Sequence, residues 1–231
     1  MKKRRVISLF HQFYKELKIA KVKGKSALIP IKHLPDYIQQ NRIKKDFISE
    51  GIPWMTVPAV KFLKKYITKN SKGFEYGSGA STLFFANKGV DLVSIDHNSE
   101  WFEKIKNVLD LYHISNVNYF LVEPDGNSEV EGVFSKKEKK YINKDFSVYA
   151  KFIQSYPDRY FDFIVIDGRV RLECLKYSLS KLKKGGILIF DNADREEYKM
   201  ELLKIKSHLK LSEYTVTANH LYFSQTNIYQ F

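Results

Sequence analysis

A chain of 231 residues with 44% hydrophobic and 15% aromatic content carries enough apolar side chain to bury a core, which excludes a disordered chain and fits one domain with an appendage. A single cysteine, Cys174, excludes an intrachain disulfide and a Cys-rich zinc site, and a reducing cytoplasm is expected. The net charge of +13 is concentrated: residues 1–72 hold 18 Lys/Arg against 4 Asp/Glu, residues 73–231 hold 21 against 22, which predicts a basic N-terminal segment, 1–72, ahead of a near-neutral domain, 73–231.

In chain order, Val6, Leu9, Phe10, Phe13 and Leu17 recur at three- and four-residue steps, predicting an amphipathic helix with Lys15, Lys18 and the leading basic cluster around it. Such a helix either packs on the main domain or rests on an anionic membrane surface or phosphorylated partner. His11, Gln12, Lys15 and Glu16 interrupt the apolar run too early for a signal peptide, and no stretch approaches the roughly 18 uncharged residues that span a bilayer. The expectation is a soluble, unprocessed, cytoplasmic protein with peripheral membrane contact. Pro30, Pro35, Pro53 and Pro58 divide the next part, and "TVPAVKFLKKYI" reads as a second helix with Thr56 as N-cap and Val60, Leu63 and Ile67 inward.

From Gly73 short apolar runs alternate with helical periods. "GFEYG", "DLVSIDH", "NVNYFLVEP", "FDFIVIDG" and "GGILIFDN" read as strands, and "ASTLFFANK", "SEWFEKIKNVLDLY", "RLECLKYSLSKL" and "REEYKMELLKIKSHL" as helices. "TANHLYFSQTNIYQF" reads as a terminal hairpin, and "SKKEKKYINKD" as an exposed insertion able to close over an acceptor. The expected fold is α/β: a Rossmann-like, doubly wound, mostly parallel sheet with a terminal antiparallel hairpin and an N-terminal helical basic extension. Ligands of such sheets sit at the carboxyl ends of the strands, so the loops after Glu75, Ile95, Val122, Ile166 and Phe190 should line one crevice.

"FEYGSGAST" decides what that crevice holds. A dinucleotide fingerprint needs a third glycine where Thr82 stands, which weakens the nicotinamide or flavin reading. Acidic residues surround the loop instead: Glu75 before it, Asp96 at the next strand end, Glu123 or Asp125 after the third. A strand-end carboxylate suits paired ribose hydroxyls, and one before the turn suits an ammonium group. On "EYGSG", "SIDH" with its 17-residue step from Gly79 to Asp96, and "LKKGGILIFDN", residues 73–231 resemble the class I S-adenosylmethionine-dependent methyltransferases. By that resemblance Gly77 and Gly79 approach the methionine part of the cofactor, Asp96 binds the ribose, and Glu123 to Asp125 border the adenine; Ser78 and His97 join them as candidate cofactor-binding residues, His97 being also a possible base or a solvated or capping residue.

Asp167 closes "VIDG", and Asp191 with Asn192 closes "IFDN". Two carboxylates and an amide oxygen make an oxygen-only site suited to Mg²⁺. The alternatives are an N-cap role for Asp167 and a polar turn for Asp191 and Asn192. The arrangement resembles the cation-dependent O-methyltransferases, but Val170 stands where those enzymes carry a lysine base, leaving the base unassigned. Asp167, Arg169 and Arg171 are the candidate catalytic residues, the arginines placed to grip an anionic acceptor. "DGR" and "DNADREEY" also resemble a bacterial methyltransferase group associated with surface-glycan clusters, implying O-methylation of a sugar, glycolipid or other small anionic acceptor. An RNA methyltransferase using the basic segment is the alternative, although no Asn-Pro-Pro-Tyr-like tetrapeptide is present; a non-catalytic scaffold is a third reading.

Overall fold

A computed structural model describes residues 2–42, 48, 50–126, 141 and 143–231, with residues 2–8 and 41–42 as backbone. The insertion "SKKEKKYINKD" lies mostly outside the described residues, as do the side chains of Val6 and the leading basic cluster.

Four helices come first: α1 (Lys2–Val22), α2 (Leu28–Lys32), α3 (Leu34–Arg42) and α4 (Val57–Tyr66). The remainder runs β1 (Lys72–Tyr76), α5 (Ala80–Asn87), β2 (Asp91–Asp96), α6 (Ser99–Leu111), β3 (Val117–Leu121), α7 (Ser147–Lys151), β4 (Phe161–Ile166), α8 (Arg171–Ser178), β5 (Leu182–Phe190), α9 (Glu196–Leu203), β6 (His208–Val216) and β7 (Phe223–Gln230). The strands form one seven-stranded sheet of order β3-β2-β1-β4-β5-β7-β6. The first five in that order pair in parallel, and β7 is antiparallel to both β5 and β6. This is the expected Rossmann-like sheet with an antiparallel hairpin.

The central strands are apolar along their whole length because both faces are covered. Alternation sorts their side chains: Ile164, Ile166, Leu188 and Phe190 pack on one face with Phe74 and Tyr76, while Phe163, Val165, Ile187 and Ile189 pack on the other with α4. Val60, Leu63 and Ile67 point inward as expected. Thr56 stands at the N-cap position of α4, but its hydroxyl makes no capping bond. Its N–H instead donates to Thr226 Oγ1 at 3.1 Å, tying the helix start to β7.

Two expectations need correction. The apolar face of α1 is centred on Phe13, Leu17 and Ala20, which meet Tyr37, Tyr214, Val216 and Phe223, whereas Phe10 is 60% exposed. At 100° per residue Phe10 falls on the flank of that stripe. The last helix stops at Leu203, and "HLKLSEYTV" is β6, the first strand of the hairpin; residues 217–222 are only its turn. Lysines and exposed side chains at the sheet edge gave this strand a helix-like polarity.

Candidate functional site

The sheet order reverses between β1 and β4: the chain runs outward from β1 to β3, then returns to the other side of β1. At that switch point, beyond the carboxyl ends of the strands, parallel sheets of this kind bind their ligands. A cavity of about 520 Å³ opens there, within the range of small-ligand sites. Its walls are Gly77 to Ser81, Asp96 to Asn98, Trp54, Trp101, Asp167 to Arg169, Arg171 and Arg195.

The glycine loop is built by contact. Gly77 has φ +88, and a Cβ there would stand 2.7 Å from Gly168 Cα, so the β1 and β4 loops touch through two glycines. Gly168 in turn faces the Tyr149 hydroxyl, which is buried without a hydrogen-bond partner. Gly79 is different. Its φ of 168 is extended backbone, and a Cβ would meet only Trp101 Cζ2, at 3.9 Å. The cavity wall at Gly79 is bare backbone by choice of residue, not by steric demand of the fold.

Beneath the loop lies fully buried Glu75. Its Oε2 accepts from Thr82 Oγ1 (2.6 Å) and Ser94 Oγ (2.7 Å), and Thr82 Oγ1 accepts from the Gly79 N–H (2.9 Å). Thr82 is therefore the relay that replaces the third glycine. Oε1 of Glu75 has no partner, and burial pushes the carboxyl up to about 7. Asp96 braces the loop from the side: Oδ2 accepts from the Ser78 N–H (3.0 Å) and Oγ–H (2.9 Å), Oδ1 from the Asn98 N–H (2.9 Å). Three of about four lone-pair positions are thus used, leaving capacity for a further donor. His97 lies with Nδ1 3.4 Å from Asp96 Oδ1, while its Nε2 accepts from Arg169 Nε at 3.4 Å. Its ring packs against Tyr141, Phe146 and Tyr149, so His97 is wedged as a support between Asp96 and Arg169.

On the β4 and β5 side, Arg171 is 6% exposed and fully engaged. Its NH2 donates to Asp167 Oδ1 (2.8 Å) and to the Asp167 carbonyl (2.6 Å), Nε to the Gly168 carbonyl (3.0 Å), and NH1 to the Asp191 carbonyl. Asp191 Oδ1 accepts from Thr226 Oγ1 (2.7 Å) and Oδ2 from Asn192 Nδ2 (2.7 Å). Burial raises both carboxyls, most of all against ionisation; desolvation opposes the Arg171 charge too, but the two carboxylates outweigh it and raise that group. These residues do not fit a divalent ion. The guanidinium already supplies the cation, and Asn192 turns an N–H, not its oxygen, toward Asp191. Among the described residues no group of three His, Cys, Asp or Glu is placed to hold a metal.

The structure thus gathers Gly77, Ser78, Gly79, Asp96, His97, Asp167, Arg169 and Arg171 around one cavity, with Glu75, Asp191 and Asn192 just behind its wall. Glu123 and Asp125 are exposed and do not line it. A backbone bridge from Asp125 to Asp145 fixes that segment at the surface instead. Arg171 serves the fold of the site and is not available to an acceptor. Val170 has φ +42, ψ +45, a left-handed conformation costly for a β-branched residue by roughly 1–3 kcal/mol, and it starts α8 where Arg169 must face the cavity.

Among the lining residues, Trp54 and Arg195 escaped sequence reasoning, whereas Trp101 was legible as a possible cover for the adenine. Trp54 lies 6.3 Å from Trp101 and edge-on to His220 at 4.8 Å, making an aromatic wall from segments far apart in sequence. An aromatic beside Pro53 in a non-periodic stretch was its one trace. Trp101 is pinned by Nε1–H donating to the Ser78 carbonyl at 2.8 Å. Tyr119 shares a 2.6 Å bond with Ser78 Oγ, and Asn98 caps α6 by accepting from the Trp101 N–H. Arg195, in "DNADREEY", lines the wall opposite the glycine loop.

No family model matches the chain, and no curated protein matches it. Solved structures match its fold. A methyltransferase-like protein from Silicibacter pomeroyi superposes with a TM-score of 0.52 at 17% identity, over 81% of this chain and 87% of that one. A methyltransferase from Geobacter sulfurreducens gives 0.50 at 13% identity, over 78% and 80%. An rRNA methylase from Streptococcus thermophilus gives 0.50 at 12% identity, over 74% and 91%. The fold is that of the Rossmann-like methyltransferases.

Proposed function

We propose that the chain is an S-adenosylmethionine-dependent methyltransferase acting on a small anionic acceptor, with O-methylation of a sugar or glycolipid as the favoured reaction. One observation carries the reading: the cavity at the switch point combines a bare glycine loop and an acidic strand end on one side with Asp167 and arginines on the other. The cofactor, when bound, supplies an electrophilic methyl group on a sulfonium. Gly77 to Gly79 and Asp96 would hold its amino-acid and ribose parts, Trp101 covering the loop. Asp167 Oδ1 is held by Arg171. Asp167 lines the cavity and would take the proton of an acceptor hydroxyl, and a carboxyl raised by burial is a better base near neutrality than an ordinary one. Arg169 and Arg195 favour an acceptor of negative charge.

The division into a basic segment, 1–72, and a catalytic domain, 73–231, belongs to the same proposal, as do a cytoplasmic setting and contact of α1 and α2 with anionic lipid. Exposed Phe10, Tyr14, Val22, Leu28 and Ile31 interleaved with lysines support the lipid contact. No described helix is long and apolar enough to cross a membrane. The +14 balance of residues 1–72 equally favours RNA as acceptor, the second reading, which demands strongly salt-dependent RNA binding lost on deleting that segment. Calorimetric titration with S-adenosylmethionine and, in parallel, NADH tests the class. Saturable binding of the first alone is expected; binding of neither would leave a scaffold. Asp167→Asn should then abolish turnover with cofactor affinity retained, and full turnover in that variant would remove Asp167 as the base.

A further inference from the structure

A second cavity, of about 250 Å³, adjoins the first, lined by Lys23, Asn192, Asp194, Arg195, Tyr222 and Ser224 among others. Arg195 lines both. Its situation is the reverse of Arg171's. Half-buried, it donates NH2 to Asn192 Oδ1 and lies 3.5 Å from the Tyr198 hydroxyl, with no carboxylate paired to it among the described residues. Two of its five N–H groups are thereby committed, both to neutral acceptors. Its guanidinium also lies 5.9 Å from the centre of the Tyr198 ring and feels the Asp167 charge from beyond ion-pair distance, so it is held in place with three of its five N–H groups left to receive an anion.

The way Arg195 is aimed supports a dedicated role. Asn192 sits at φ +52, a left-handed conformation that asparagine tolerates, and its Nδ2 donates to Asp191 Oδ2, which forces Oδ1 toward Arg195. The buried acidic pair therefore orients Arg195 through one amide. Asp194 does not neutralise it. That carboxylate is buried, with Oδ1 accepting from the Gln225 N–H at 3.0 Å and Oδ2 from Lys23 Nζ, so Asp194 and Lys23 form a self-balanced pair. Lys23, from the basic N-terminal segment, keeps further N–H donors at the rim, and Tyr222 lines the same compartment, while the buried Ser224 hydroxyl is bonded to Thr217 Oγ1 (2.8 Å).

We propose that this second cavity is a phosphate subsite: the acceptor is a low-molecular-weight phosphorylated compound whose phosphate sits on Arg195 and Lys23 while its reacting hydroxyl reaches Asp167. A carboxylate is planar and is served by one edge of a guanidinium; the Arg195 guanidinium together with the remaining N–H groups of Lys23, set around one compartment, offers donors from two directions, which match the three free oxygens of a phosphate. The subsite deepens the methyl-transfer reading only in what it assigns to the acceptor, since the phosphate contacts stand apart from the glycine loop.

The full chain should be titrated with inorganic pyrophosphate, and separately with S-adenosylmethionine, as wild type, Arg195→Gln, Arg195→Lys and the double variant Lys23→Gln/Asp194→Asn, which avoids leaving Asp194 buried alone. Saturable pyrophosphate binding is expected, about tenfold weaker in Arg195→Gln, intermediate in Arg195→Lys, and a few-fold weaker in the double variant. S-adenosylmethionine affinity should stay within about twofold throughout. Absence of pyrophosphate saturation in wild type by about 10 mM, or an Arg195→Gln variant that binds as wild type, overturns the subsite. A short RNA that displaces pyrophosphate in an Arg195-dependent manner, and binds more tightly, overturns the small-molecule assignment. Loss of S-adenosylmethionine binding in wild type with pyrophosphate binding intact would refute the cofactor reading and leave the phosphate subsite standing.

Discussion

The two halves of the site both bury carboxylates, and they satisfy them in opposite ways. Around the glycine loop, Glu75 and Asp96 accept from hydroxyls and backbone N–H groups, all neutral. At the ends of β4 and β5, Asp167 and Asp191 share the Arg171 guanidinium. Neutral donors solvate a carboxylate without cancelling its charge, so Asp96 suits a cationic ligand, while Glu75 behind it is pushed up to about 7 by burial. The second half is compensated internally, and the arginines beyond it give it a positive field. The sign of the site thus changes across the gap between β1 and β4, which is the polarity a cationic donor and an anionic acceptor need to meet there.

Removing Arg171 attacks this contrast most severely. Arg171→Met should destabilise the fold by about 3 kcal/mol in urea denaturation near neutral pH, since it leaves buried Asp191 and the partly exposed Asp167 without a counter-charge. A loss below about 1 kcal/mol would mean that the pair is already neutral without Arg171. The glycine-loop half is probed by pH. Glu75 ionises at about 7 when folded against an ordinary 4.5, so its contribution to stability is full below about 4.5 and is lost as pH rises through about 7. Wild type should lose on the order of 3 kcal/mol across that window from this group, and Glu75→Gln should flatten the slope. An unchanged slope in the variant would assign the dependence to another group.

Asp96→Ala should weaken S-adenosylmethionine binding by about 1.5–3 kcal/mol, because it removes a charged acceptor and frees three loop donors. Unchanged affinity would take Asp96 out of the cofactor site. The finest test compares two glycines. Gly77→Ala meets Gly168 backbone at 2.7 Å with φ +88 and should cost roughly 1–3 kcal/mol of stability. Gly79→Ala has only Trp101 nearby and should change stability by less than about 0.5 kcal/mol while lowering cofactor affinity. Equal destabilisation by both would refute the division between a structural and a ligand-facing glycine.

The sheet was legible because strands buried on both faces must be continuous apolar runs, and the glycine loop because positive φ beside a strand end leaves few residue choices. Asp96 and Asp167 were legible for the same reason: a strand end fixes which loop they enter. Charge pairing was not. Arg171 stands four residues after Asp167, a spacing equally natural for a solvated helix pair, and only the fold brings Asp191 to its other side. Glu123 and Asp125 lie outside the cavity wall, where the loop after β3 is tied to Asp145, a pairing with no local signature. Trp54 entered the site through tertiary packing of a segment that shows no periodicity, and Arg195 from the start of a helix whose period does not say which way its first residue faces.

The N-terminal helix docks on strands made long after it. Glu16 accepts from the Phe223 N–H across 207 positions, and the Tyr37 hydroxyl donates to the Leu221 carbonyl across 184. A chain is synthesised from its N-terminal end, so Phe13 and Ala20 have no docking surface until the β6–β7 hairpin exists, and closing loops of this length is entropically slow. Lys23 and Tyr222 lie on that late interface, whereas Gly77 to Asp96 meet β4 and Gly168, which are made before the hairpin. A nascent chain would therefore own a formed glycine loop before it had a second wall, and selectivity for the acceptor would be the last property of the molecule to mature.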